Sequence, residues 1–169
     1  MIEPRTAARR AARMFLMLVA GCVAVIGAAL YLQHWQGLDP CPWCIVQRLV
    51  YIAIGVVGLV AALVRPGGIG ITVFSALGGL LALAGAAAAT WHVFLQKDPE
   101  RAQSCTGSVV EKLLDASRLG HLAPDLLQYD GPCTLKPWSL LGMSIPEWSL
   151  IGFVAILVWM VVLPRFARR

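Results

Sequence analysis

The stretch Cys41–Val64, CPWCIVQRLVYIAIGVVGLVAALV, joins a C-x-x-C motif to an apolar run long enough to cross a membrane. The hydrocarbon core of a bilayer is about 30 Å thick, and an α-helix needs about 20 apolar residues to cross it. Arg48 is the one charged residue of the stretch. The stretch therefore predicts a membrane-spanning helix over about 45–64, with a cysteine pair at its N-terminal end.

The rest of the chain has the composition of a membrane protein. Of its 169 residues, 59% are hydrophobic and 14% are charged, which is too little polar surface for a water-soluble globule. Three further apolar runs have the length of a span: about 14–33, 71–95 and 148–163. The first run is longer than the apolar part of a signal peptide, so we predict a retained helix.

These runs predict an all-α membrane protein, a four-transmembrane-helix bundle in which 1–169 form a single membrane domain. Two loops, about 34–44 and 96–147, then lie on the same side of the membrane. Glycine and alanine crowd the third run, and small residues allow helix backbones to approach closely in lipid. We therefore expect the third helix to contact several neighbours.

Basic residues are distributed unevenly between the two sides of this bundle. The termini and the turn after residue 64 carry eight basic residues against one acid, whereas 34–43 and 96–147 carry five basic residues against eight acids. Loops rich in Lys and Arg stay in the cytoplasm. We predict that both termini are cytoplasmic, and we attribute the net charge of +5 to orientation and not to nucleic-acid binding.

The long loop contains one segment with the pattern of a helix. Ser108 and Glu111 form a capping box, apolar and charged side chains then alternate at helical spacing, and Gly120 provides a stop. This pattern predicts a short amphipathic helix that lies in the membrane interface or packs on the bundle. The remainder of the loop is rich in proline and is expected to be irregular and mobile.

Cys41 and Cys44 have the C-x-x-C spacing of redox-active pairs. At the start of a helix, free N–H groups and about half a positive charge from the helix dipole can stabilise a thiolate. Arg48, one turn after Cys44, adds a positive charge on the same face. These features favour thiol–disulfide exchange at this pair.

Other interpretations of the motif are weaker. A structural disulfide would gain little stability, because a two-residue spacer closes a small loop. Zinc needs further ligands, and the remaining cysteines and histidines form no second C-x-x-C or H-x-x-H element, so we predict no metal. Ile45 follows Cys44 at the position where haem attachment requires histidine.

Cys105 and Cys133 lie 28 residues apart in the long loop. By themselves they fit a structural disulfide and an exchangeable one equally well. Two pairs on one side of the membrane favour a relay, so we predict that Cys41, Cys44, Cys105 and Cys133 are catalytic. Cys22 lies in the middle of the first span, where a small buried apolar role is expected.

Oxidation of two thiols releases two electrons and two protons, which need an acceptor. The sequence contains no haem, iron–sulfur or nucleotide-binding motif, so a lipid-soluble quinone is the predicted acceptor. An arginine inside a membrane span indicates a functional site, although Arg48 can also snorkel to the interface. His92 and Gln96, one turn apart, are candidates to hydrogen-bond a quinone oxygen, or they satisfy their own helix end.

The chain resembles the disulfide bond formation protein B (DsbB) family over nearly its whole length. The resemblance is carried by the following stretches: Gln33-His34, Pro40-Cys41-x-x-Cys44-x-x-Gln47-Arg48, His92-x-x-x-Gln96, Cys105 with Cys133, Pro137-Trp138 and Ile145-Pro146-Glu147-Trp148-Ser149-Leu150. It implies a four-helix bundle in the bacterial cell inner membrane that reoxidises the soluble periplasmic thiol oxidase DsbA.

The resemblance also implies roles for single residues. Cys105 would form the mixed disulfide with the partner, Cys133 would pass electrons to Cys41, and Cys44 would contact ubiquinone or menaquinone beside Arg48. Two alternatives stay open. One is a quinone reductase of the vitamin K epoxide reductase type, whose C-x-x-C is expected in a later span. The other is a non-enzymatic scaffold whose disulfides brace its loops.

Overall fold

A computed structural model describes residues 4–98, 112, 116, 123–127, 129, 131, 133 and 138–168. Within these residues the chain forms five helices and one small hairpin. In chain order they are α1 (Pro4–Gln36), α2 (Pro42–Val64), α3 (Gly68–Lys97), α4 (Pro124–Leu127), β1 (Ser139–Leu140), β2 (Met143–Ser144) and α5 (Ile145–Arg168).

Four of these helices, α1, α2, α3 and α5, are long and apolar enough to cross a membrane. The predicted four-helix membrane protein is therefore confirmed. Each helix extends beyond its apolar run, most of all α1, which begins ten residues before residue 14. Alanine and arginine favour helix, so the basic segment before the run continues the same helix and apolarity alone does not mark its end.

The helices α2 and α3 are joined by a tight turn. Arg65 adopts the left-handed conformation with φ of 51°, and its N–H donates to the Ala61 carbonyl oxygen at 3.1 Å. This bond satisfies a carbonyl at the helix end, and Pro66 prevents the helix from continuing. The short turn makes α2 and α3 antiparallel neighbours.

The predicted role of the small residues in α3 is confirmed, because α3 packs against both α2 and α5 and also touches α1. Gly85 faces the Phe153 ring so closely that a methyl group would overlap the ring, and Gly78 is in the same relation to Met160. Phe153 is fully buried. The largest helix contact therefore depends on the absence of side chains on α3.

The segment before α5 is more regular than the sequence indicated. Leu140 pairs with Met143 across a two-residue turn, in which Leu141 and Gly142 have φ of 55° and 80°. Two positive φ angles are typical of the tight turns that fit the twist of a hairpin. The expectation of an irregular segment was wrong here, because the turn residues permit a specific backbone.

A capping box starts α5. The Ser144 backbone N–H and hydroxyl both donate to the Glu147 carboxylate, at 2.7 and 2.9 Å. The helix consequently begins three residues before the predicted start at 148. The S-x-x-E signal is readable in the sequence. The amphipathic helix predicted after Ser108 falls outside the described residues, apart from Lys112 and Ala116.

Candidate functional site

The C-x-x-C motif forms the N-terminal end of α2. Cys41 is extended and its carbonyl oxygen accepts from the N–H groups of Cys44 and Ile45, at 2.9 and 3.2 Å. Pro42 occupies the first helical turn, where its missing N–H costs nothing. This local geometry turns both thiols toward each other, and the Cys41 Sγ donates to the Cys44 Sγ at 3.3 Å.

The two cysteines differ in their surroundings. Cys41 is buried and Cys44 is half-buried, and both are free thiols. The hydrogen bond to Cys44, and then burial, raise the pKa of the Cys41 thiol well above its ordinary value. The Cys41 thiol is thus the hydrogen-bond donor of the pair, and the Cys44 sulfur is the acceptor.

His92 on α3 contacts this pair. Its Nε2 lies 3.4 Å from the Cys41 Sγ, and its Nδ1 lies 3.2 Å from the Gln47 Nε2. The ring also hydrogen-bonds to the backbone of Cys133. An amide can present its nitrogen or its oxygen, so Gln47 can hold the imidazole in either tautomer. The His92 ring is thus held beside the Cys41 sulfur.

Arg48 is buried, with 7% of its surface exposed. Its Nη1 donates to the Gln33 Oε1 at 2.8 Å and to the Leu126 carbonyl oxygen at 3.0 Å. A cation removed from water needs such partners. The guanidinium therefore joins three parts of the molecule: the end of α1, the start of α2 and the short helix α4.

The thiols, Arg48, His92 and Gln96 line one cavity of about 450 Å³. Apolar side chains of α1 and α5 form much of the rest of its wall. Those apolar residues include Ile26, Ala29, Leu32, Ile145 and Ile151. A mostly apolar cavity of this size with a few convergent polar groups is typical of a small-molecule site.

The long loop also reaches the site. Cys133 is disulfide-bonded and buried, and it packs in one cluster with Cys41 and Leu95. Close by, the Gly131 N–H donates to the Pro40 carbonyl oxygen at 3.1 Å. A methyl group on Gly131 would overlap the Asp39 carbonyl. We call this contact between Gly131 and the Asp39–Pro40 backbone the glycine latch.

The structure thus brings together six of the seven predicted site residues, whereas Cys105 lies outside the described residues. Cys22 is buried in the bundle and does not line the cavity. Sequence reasoning gave no role to Gln33, Gln47 or Gly131. The two glutamines could have been found in the sequence, because each is a polar side chain at the membrane end of an apolar helix. No local sequence pattern indicates the role of Gly131.

Fold and site together define a multi-pass membrane protein with a buried redox-capable dithiol at the end of a helix bundle. The sequence model of one family, described as disulfide bond formation protein DsbB, matches residues 10–163. This chain belongs to the DsbB family, and disulfide oxidoreductase activity follows from that membership.

Individual relatives match over most of their length. The chain is 37% identical to disulfide bond formation protein B of Azoarcus sp. (strain BH72), over 92% of this chain and 93% of the relative. It is 40% identical to the protein of that name from Stutzerimonas stutzeri (strain A1501), over 86% and 89%. It is 39% identical to disulfide bond formation protein B 1 of Pseudomonas aeruginosa, over 93% and 95%.

Proposed function

We propose that this protein is an inner-membrane thiol oxidase that reoxidises a periplasmic dithiol oxidase of the DsbA type. It passes the electrons to a membrane quinone, ubiquinone or menaquinone. The catalytic residues are Cys41, Cys44, Cys105 and Cys133, and the quinone-binding residues are Arg48, His92 and Gln96. The membrane supplies lipid and quinone, and disulfide formation in periplasmic proteins is the outcome.

One observation carries this proposal: a free dithiol and a disulfide-bonded cysteine are packed together beside an apolar cavity. Cys133 packs in one cluster with Cys41, and Cys41 contacts Cys44. A disulfide bonded to Cys133 next to a reduced pair corresponds to a state in which electrons have already reached the helix end. This proximity favours exchange between the pairs, because Cys133 and Cys41 already share one buried cluster.

The electrons balance along this route. The reduced partner gives two electrons to the Cys105–Cys133 disulfide and becomes oxidised. The resulting loop thiols reduce a Cys41–Cys44 disulfide and close their own disulfide again. Oxidation of Cys41 and Cys44 then releases two electrons and two protons, which a quinone accepts to become a quinol. At the end of the cycle the enzyme has the same two disulfides with which it began.

The cavity fits a quinone better than it fits a polar substrate. A quinone ring has two carbonyl oxygens that accept hydrogen bonds, and its tail is apolar. Arg48 and Gln96 offer hydrogen-bond donors, and the apolar side chains of α1 and α5 suit a hydrocarbon tail. His92 lies on Cys41 and so is positioned to hold or take the proton of that thiol as it reacts.

The glycine latch supports the transfer between the pairs. It ties residue 131, two positions before Cys133, to the residue before Cys41. His92 adds a second tie, because its ring contacts the Cys41 sulfur and the Cys133 backbone. These contacts hold the loop cysteine beside its electron acceptor, so we assign Gly131 as a positioning residue.

The proposed orientation follows the charges. The site lies where α1 ends and α2 begins, at the end of the bundle opposite Arg65. Basic residues cluster at the Arg65 end and at both termini. The positive-inside rule supports cytoplasmic termini and a periplasmic site. There, the oxidising compartment allows the loop disulfide to persist.

The two alternatives have less support. A scaffold braced by disulfides has no need for a buried free dithiol, yet Cys41 and Cys44 are free. A reductase of the vitamin K epoxide reductase type expects the C-x-x-C in a later span. Here the motif opens α2, the second span.

The decisive experiment mixes purified protein with a reduced DsbA-type partner and ubiquinone. We expect partner thiols and quinone to be consumed in the ratio of one dithiol to one quinone. Cys44→Ser should reduce quinone consumption to the background rate, because the sulfur that hands over the electrons is gone. Cys22→Ser is the matched control, since it removes a buried thiol away from the cavity, and it should keep full activity. Quinone reduction by Cys44→Ser would overturn the proposal.

A further inference from the structure

The side chains of Cys41, Cys44 and His92 form a cluster of potential metal ligands, in addition to the redox pair. Their three ligand atoms all lie within 4.8 Å of one another. We propose that the reduced pair and His92 bind a thiophilic divalent cation such as Zn²⁺, and that oxidation of the pair abolishes this site.

The distances match what such a cation requires. Zn²⁺ binds thiolate sulfur at about 2.3 Å and imidazole nitrogen at about 2.0 Å in tetrahedral geometry, which separates two sulfurs by about 3.8 Å and a sulfur from a nitrogen by about 3.5 Å. The observed separations are 3.3 Å between the two sulfurs and 3.4 Å between Cys41 Sγ and His92 Nε2. Two of the three ligand pairs are therefore within about half an ångström of the required spacing.

The surroundings also resemble a metal site. Metal-binding histidines usually hydrogen-bond through their other ring nitrogen, which fixes the ring. The His92 Nδ1 is held in this way by Gln47. When the Gln47 amide presents its oxygen, Nδ1 donates to it and Nε2 keeps a lone pair for the metal, which then replaces the hydrogen bond of the ring to the Cys133 backbone. Three soft or imidazole ligands select Zn²⁺ over Mg²⁺ or Ca²⁺, which prefer oxygen.

Charge does not prevent binding. Two thiolates and one Zn²⁺ sum to zero, so the complex adds no positive charge beside Arg48. Binding releases the two thiol protons and transfers no electrons, so it needs neither an oxidant nor a reductant. A disulfide has no thiolate to offer, and therefore only the reduced protein has the site. The metal holds both sulfurs, so the proposed oxidase would be arrested while Zn²⁺ is bound.

Sequence spacing had argued against this site, because the three histidines form no metal-binding repeat with the cysteines. His92 follows Cys44 by 48 residues, and it reaches the pair only because α3 returns antiparallel to α2. The ligand set is thus a product of the helix packing.

The test measures Zn²⁺ binding to the whole protein in detergent, in competition with a coloured chelator. The protein is first reduced, freed of reductant and kept without oxygen. We expect about one Zn²⁺ per reduced chain and none per oxidised chain. His92→Phe should weaken binding at least about tenfold, because it removes one ligand. His92→Cys supplies another soft ligand and should retain binding, and Cys22→Ser should leave it unchanged.

Three results would overturn the inference: no binding to the reduced protein, equal binding to the oxidised protein, or undiminished affinity of His92→Phe. Co²⁺ substitution gives an independent readout, since thiolate-to-cobalt absorption should appear in the native protein and vanish in Cys44→Ser. The binding measurement uses neither partner nor quinone, so it does not depend on the proposed function. Only the arrest of quinone reduction by Zn²⁺, and its reversal by chelator, rests on that function. If the protein fails to reduce quinone without metal, the function fails and the binding result stands.

Discussion

The middle of the bundle and its cysteine-bearing end are built by different rules. In the middle, Gly85 admits the Phe153 ring, and Tyr51 stacks on that ring with centroids 4.2 Å apart. At the cysteine-bearing end, a cavity of about 450 Å³ separates the helices, and hydrogen bonds hold Arg48 and His92 around it. The first region is close-packed, and the second keeps open space between fixed polar groups.

This difference separates stability from reactivity. A close-packed apolar region does not tolerate changes in side-chain volume, but it contains no directional bonds that could orient a reactive atom. Hydrogen bonds fix the direction of a guanidinium or an imidazole at the expense of packing. Changes in the middle should therefore alter stability and leave the chemistry intact, and changes to the contacts that position Arg48, His92 and Cys133 should do the reverse. Three variants, each with a control, test this contrast, and a fourth measures the cap at the start of α5.

The glycine latch should give the largest effect. Gly131→Ala places a methyl group against the Asp39 carbonyl, so the loop must move away from Cys41. We expect electron transfer from the loop pair to the helix pair to slow about a hundredfold, because small misplacements of reacting groups cost that much. Rapid mixing should still show the first oxidation of the partner.

Gly67→Ala is the control for this prediction, since a methyl group there meets no atom within 4 Å. It should transfer electrons at the native rate. If Gly131→Ala also transfers electrons at that rate, the latch does not position Cys133.

The second effect concerns the close-packed middle. Gly85→Ala should destabilise the bundle by about 2 kcal/mol, roughly 30-fold in the unfolding equilibrium, because the added methyl group overlaps the Phe153 ring. Thermal unfolding in detergent measures this change. Gly27→Ala, at a helical glycine with open space around it, should be neutral or slightly stabilising. A large loss of kcat in folded Gly85→Ala would break the contrast.

Arg48→Lys should change function with little change in stability. Lysine keeps the charge but cannot reproduce the fixed geometry through which Nη1 reaches both Gln33 and Leu126. We expect the KM for quinone to rise about tenfold, since a hydrogen bond from a charged group is worth about 1.5–3 kcal/mol. Steady-state kinetics against quinone concentration measure it. Arg65→Lys, at the opposite end, should match the native protein, and an unchanged KM in Arg48→Lys would contradict the assigned role.

The smallest effect concerns the start of α5. Glu147→Ala removes both hydrogen bonds to Ser144 and should lower stability by about 1 kcal/mol. Glu147→Gln keeps an acceptor oxygen and should lose less. Thermal unfolding of the three proteins ranks them. Equal stability would show that the hairpin and the Trp148 Nε1 bond to the Leu140 carbonyl start the helix without the cap.

Much of the site was predictable because its signals are local. The spacing along one helix predicted that Cys44 and Arg48 lie on the same face. A charged side chain within an apolar span indicated that Arg48 is functional. His92 was predicted to touch a quinone, and the structure places it on Cys41 and Gln47. These contacts join residues 51 and 45 positions apart, so they depend on the rotation and register of the two helices, which no local pattern encodes.

By itself, the sequence determined that four helices cross the membrane, because backbone polar groups in lipid must bond within each helix and apolar length then fixes the count. It also determined that the cysteine motif begins the second helix. Only the tertiary structure decided that Cys133 packs in one cluster with Cys41, that Gly131 is held by the Asp39–Pro40 backbone, and that His92 lies beside the two thiols. These contacts come from how helices and loop pack in three dimensions, where a few ångströms decide which atoms can react.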